Sequence, residues 1–128
     1  MKKALILILS LSISLCASSQ PSQKRKMIHM AAMRIAEQIE VPEPSLEAFV
    51  TLYQRYKGES LEIVRTKALS DDDPEISAEL KILDDFEKSQ KILLLRKAYY
   101  FKFREILSPL QIQKMYDVEK ATKETSSR

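Results

Sequence analysis

Glycine occurs once in these 128 residues, cysteine once, histidine once and tryptophan not at all. A single Gly, Gly58, leaves no phosphate-cradling loop and no dinucleotide fingerprint, and it argues against sheet, whose turns use glycine. One histidine, His29, cannot supply a zinc site, which takes several His or Cys ligands. Serine–histidine and cysteine–histidine catalysis would have to be built on that same residue. His29 is expected to be an ordinary residue of the first helix. No enzyme active site and no cofactor are expected. With 30% charged residues and so few breakers, the composition points to long helices.

The N-terminus bears on compartment. Lys2 and Lys3 precede an apolar and serine stretch from Ala4 to Leu15, followed by Ala17-Ser18-Ser19. A charged start, a short apolar core and a small-x-small exit make a secretory signal peptide, with cleavage expected before Gln20. The apolar core is too short for a membrane span, which needs about 20 residues. Cys16 raises a lipoprotein alternative, although Leu15 before it is larger than that processing prefers. Cleavage before Gln20 removes the only cysteine, and with it any disulfide or thiol chemistry, so stability has to come from packing. It also removes two lysines, leaving 19 basic and 18 acidic side chains, a net of +1. Nucleic-acid binding, which wants a basic excess on one face, is not expected.

Along the chain, 1–19 reads as leader, 20–26 (QPSQKRK) as a flexible basic arm, 27–122 as one helical domain and 123–128 as a frayed tail. Met27, Met30, Ala31, Ile35 and Ile39 recur at helical steps up to Val41-Pro42-Glu43-Pro44. Residues before proline avoid helix, so Val41 is a boundary, while both prolines suit the first turn of a second helix running to about Ala68. Leu46, Phe49, Tyr53 and Tyr56 mark its apolar face. Asp73 then reads as an N-cap and Pro74 as the first residue of a third helix, to about Leu107. The run Asp71-Asp72-Asp73 fits such a capping loop better than a calcium loop, which spaces its oxygens around a glycine turn.

In the third helix Phe86, Leu93, Tyr100 and Leu107 repeat every seven residues, flanked by Ile92, Leu95, Tyr99, Phe103 and Ile106, and form the expected core stripe. Leu94, Ala98 and Phe101 lie roughly opposite. Two readings follow: the second face is buried against another copy, or it is an exposed groove for other chains. Met27, Met30 and Met33 divide the same way, since methionine suits both cores and promiscuous surfaces.

The last boundary carries three agreeing devices. Ser108 is placed as N-cap, Pro109 takes the first helical position and Gln111 can complete a capping box, with Leu107 and Ile112 as a hydrophobic staple. The stretch Leu107-Ser108-Pro109-Leu110-Gln111 resembles the Leu-Thr-x-x-Gln motif of the Spy/CpxP family of periplasmic proteins, Ser108 keeping the capping hydroxyl. A more divergent first copy is Val41-Pro42-Glu43-Pro44-Ser45, with Val41 for leucine, Pro42 for the capping residue and Ser45 for glutamine. The resemblance implies an all-α, four-helix antiparallel hairpin arrangement that dimerises into a curved cradle. It further implies an ATP-independent chaperone of the envelope stress response, binding unfolded or misfolded envelope proteins. The alternative it carries is a regulator contacting the periplasmic domain of a sensor kinase or an anti-sigma factor.

Overall fold

The computed structural model describes residues 19–126, which form four helices with no strand among them: α1 (Ser19–Gln38), α2 (Glu43–Arg65), α3 (Pro74–Arg104) and α4 (Pro109–Ser126). Residues 1–18 of the segment expected to be a leader, Cys16 among them, lie outside the described residues. Among those described, no helix is long and apolar enough to cross a membrane.

Two expected boundaries move. The 20–26 stretch is not an irregular arm but the first turns of α1. Gln, Lys and Arg are good helix formers, and Pro21 falls in the first turn, where its missing N–H breaks no bond. At the other end α4 continues through Lys123 to Ser126.

Each connection has a local cause. At the end of α1 the Val41 N–H donates to the Ala36 carbonyl (2.9 Å) and the Glu40 N–H to that of Glu37 (3.3 Å). This six-to-one and five-to-two pairing is a Schellman closure, with Glu40 in the left-handed region at φ 59°. Pro42 (φ −61°, ψ 146°) then opens α2 without a side-chain cap. Before α3, the Glu75 N–H donates to Asp73 Oδ1 (2.9 Å) and the Asp73 N–H to Asp71 Oδ1 (2.9 Å), so the acidic run is a capping loop.

Successive helices pack on one another, α1 on α2, α2 on α3 and α3 on α4. Ring contacts of Phe49 with Phe103 and of Tyr56 with Tyr99, and a hydrogen bond from Lys88 Nζ to the Thr66 carbonyl, set α2 and α3 antiparallel. The core lies at one end of this hairpin. It joins Ala32, Ile35 and Ala36 of α1, and Ile39 just after it, to Phe49, Tyr53 and Tyr56 of α2. From the other side come Tyr99 and Phe103 of α3, Leu107, and Ile112 and Met115 of α4. Five aromatic rings touch in a chain with centroids 5.6 to 6.3 Å apart. Burying each such side chain contributes roughly 1.5–3 kcal/mol, so this knot is the main source of cohesion.

Candidate protein-interaction surface

The seven-residue stripe expected to be the core of α3 divides: Phe86 and Leu93 lie outside the core, Tyr100 packs half-buried against it and Leu107 is buried. Phe86 is 63% exposed and Leu93 53%, while Tyr99 and Phe103 are buried, with Ile92, Leu95 and Ile106 half-buried on the same side. The reason is geometric. A straight helix drifts about 20° per seven residues, and Leu107 lies beyond the helix end at Arg104, so it is buried without sharing the register of Phe86.

Opposite the core side, Ile76, Ile82, Leu83, Phe86, Leu93, Leu94 and Phe101 are all exposed, Phe101 to 72%. At 100° per residue these seven fall within one broad face of α3, away from α2 and α4. Ala98 is exposed as well, and Phe101 makes its one ring contact, edge to face at 5.5 Å, with half-buried Tyr100. On α1, Met27, Met30 and Met33 also point outward, at 73%, 63% and 41% exposure. All six residues read from sequence as a protein-binding surface are therefore solvent-facing, in two separate places: the three methionines on α1, and Leu94, Ala98 and Phe101 on α3. The sequence reading missed Ile76, Ile82 and Leu83, which continue the α3 face toward its start.

The charges along α3 are segregated. Residues 75–87 hold five acids (Glu75, Glu79, Asp84, Asp85, Glu87) and one lysine. Residues 88–104 hold six bases (Lys88, Lys91, Arg96, Lys97, Lys102, Arg104) and no acid. Four of these charges form two pairs within the helix, Lys88 with Asp84 (2.9 Å) and Lys91 with Glu87 (3.1 Å).

The motif residues are structural. The Ser108 N–H donates to Gln111 Oε1 (2.9 Å) and the Gln111 N–H to Ser108 Oγ (3.2 Å), a reciprocal capping box flanked by buried Leu107 and Ile112. Gln111 goes further: its Nε2 donates to the carbonyls of Ile39 (3.3 Å) and Glu40 (3.2 Å). The start of α4 is thereby tied to the turn at Ile39 and Glu40, just before Val41 and Pro42.

A polar cluster edges the core. Tyr53 Oη donates to Glu119 Oε2 (3.2 Å), Lys57 Nζ lies 3.5 Å from the same oxygen, and Arg96 Nε donates to Tyr56 Oη (3.4 Å). The Arg96 guanidinium also stands 5.2 Å from the Tyr116 ring centre. Glu119 Oε1 is buried without a hydrogen-bond partner. Burial pushes the phenols of Tyr53, Tyr56 and Tyr116 above the ordinary tyrosine range; nearby Glu119 raises them further, and Arg96 partly offsets this at Tyr56 and Tyr116. These groups clamp α2, α3 and α4 together. His29 is exposed, its Nδ1 3.4 Å from Gln54 Nε2. Among the described residues no three His, Cys, Asp or Glu side chains stand close enough to hold a metal ion.

What the architecture defines is an all-helical protein with its apolar surplus on the outside. Comparison with family models, with curated proteins and with solved structures finds no match.

Proposed function

We propose that this is a protein of the cell envelope that binds unfolded or partner proteins through apolar helical surface, without ATP, and works as a homodimer. The observation that carries the reading is the α3 face: seven large apolar side chains in one stripe, facing away from the protein's own core. Large apolar side chains left exposed together on one helix face, here interspersed with Glu79, Gln90 and Lys97, favour an interaction site over an ordinary surface.

The two exposed regions suit two tasks. The charge split along α3 favours a second copy laid antiparallel on the stripe, because each acidic half then meets a basic half, whereas a parallel pair would oppose like charges. The α1 methionines remain outside such a pair and offer an adaptable apolar surface to other chains. The leader-like N-terminus supports export to the periplasm, and the capping motif supports the Spy/CpxP-like reading of the helical hairpin.

The experiment is suppression of aggregation of an unrelated denatured client, followed by light scattering. The protein is expected to suppress it, and Met27→Ser/Met30→Ser/Met33→Ser to lose at least half of the effect with helicity unchanged. No suppression at several-fold molar excess overturns the binding function. Independently, Leu83→Glu/Leu94→Glu is expected to yield a monomer by sedimentation; a wild-type protein that is itself monomeric at high concentration overturns the dimer.

A further inference from the structure

The inward stripe of α1 changes character along its length. Its second half is apolar and buried, through Ala32, Ile35 and Ala36, with Ile39 just after the helix. Continuing back at the same three- and four-residue steps come Ile28, Arg25 and Lys24. Facing them, α2 presents Thr51, Arg55, Gly58, Glu62 and Arg65, again at steps of four and three. Between these two helix segments lies an open groove of about 760 Å³.

Four cations line this groove, Lys24, Arg25, Arg55 and Arg65, against the single acid Glu62, and none of the four makes an ion pair among the described residues. Placing unpaired positive charges on both walls of a cleft concentrates positive potential inside it. The space at Gly58 is open, since a Cβ built there meets nothing within 4 Å. Thr51 to Arg65 spans about 21 Å of helix, the length of roughly six residues of extended chain. A concave slot of that length fits a strand of polypeptide and not a planar membrane surface.

We infer that the groove between the first half of α1 and the second half of α2 binds an extended acidic segment of another polypeptide, its carboxylates held by Lys24, Arg25, Arg55 and Arg65. Arginine favours carboxylates through its paired donors. This site is separate from the apolar surfaces of the proposed function and stands or falls without them.

The test is fluorescence anisotropy of the purified protein with a labelled eight-residue peptide alternating Glu and Ser, against the same peptide with Gln for Glu. The acidic peptide is expected to bind, and to weaken several-fold between 50 and 300 mM salt, as a screened contact must, because the screening length falls from about 14 Å to about 6 Å. Arg55→Gln/Arg65→Gln is expected to weaken binding at least tenfold, while Lys97→Gln/Lys114→Gln, which removes two cations elsewhere, leaves it unchanged. Gly58→Leu, which keeps every charge but fills that open space, is expected to weaken it to a similar degree, with a thermal melt confirming the fold. Equal binding of the Gln peptide, equal loss in the lysine control, or displacement by millimolar inorganic phosphate each overturns the proposal. So does binding to vesicles containing phosphatidylglycerol when the peptide does not bind.

Discussion

Glu40 holds a backbone conformation that its own side chain disfavours. At φ 59° it occupies the left-handed position that closes α1, a place usually taken by glycine because a Cβ there costs about 1–2 kcal/mol. Glu40→Gly keeps the carbonyl that accepts from Gln111 and removes the strain, while glycine loosens the unfolded chain by about 0.4–1 kcal/mol. The net expectation is a gain of about 0.5–1 kcal/mol in urea unfolding; a loss would mean that the Glu40 side chain has a role beyond the turn. Gln111 is the opposite case, since one side chain caps α4 and bridges to the end of α1. Gln111→Ala is expected to cost about 1–3 kcal/mol, more than Ser108→Ala at about 1 kcal/mol, because it removes a cap and leaves two backbone carbonyls short of a donor. Equal losses in the two variants would show that the bridge to α1 contributes nothing.

At the scale of the helix, what could be read from sequence was what is decided locally. The α4 start was legible because Ser108, Gln111, Leu107 and Ile112 act within six residues, and Asp73 before Pro74 was legible for the same reason. The side of α3 that meets the core was not, because both of its faces are apolar and periodicity cannot tell a partner in the same chain from one outside it. The basic α1–α2 groove was missed too: Lys24 and Arg25 looked like part of a solvated arm, and only the helix beginning at Ser19 turns them inward. The bridge from Gln111 to Ile39 and Glu40 joins residues far apart in sequence, and no local pattern announces it. The exposed stripe has a consequence for dynamics. In a lone subunit residues 76–87 have little packed against them, so their amides should exchange fast, and those of 99–103, inside the aromatic core, slowly. Pairing of α3 between copies predicts that protection over 76–87 rises with protein concentration while protection over 99–103 does not. Concentration-independent exchange in both segments would rule the pairing out.

Across the whole molecule, four helices are held together largely by tyrosines whose hydroxyls face a carboxylate and a guanidinium at the rim of one core. The phenols of Tyr53, Tyr56, Tyr99 and Tyr116 are all pushed above the ordinary tyrosine range, with desolvation by burial the largest cause in each. A raised value in the folded state means that folding favours the protonated phenol. The stabilisation this represents is complete below the unfolded value near 10 and is lost as the pH climbs from there toward the folded values. Stability is therefore expected to be flat in this respect through neutral pH and to fall steadily above about 10, as free phenols in the unfolded chain ionise while the buried ones cannot. Tyr53 should dominate, since it is almost fully buried and its hydroxyl already donates to Glu119. In Tyr53→Phe the alkaline slope should shrink even though stability at neutral pH drops, because the hydrogen bond is gone and Glu119, with one oxygen already unpartnered, loses a second contact. Urea unfolding from pH 7 to 11, followed by helical circular dichroism, separates the two effects: an unchanged alkaline slope in Tyr53→Phe would mean that high pH unfolds the protein through other groups than this core.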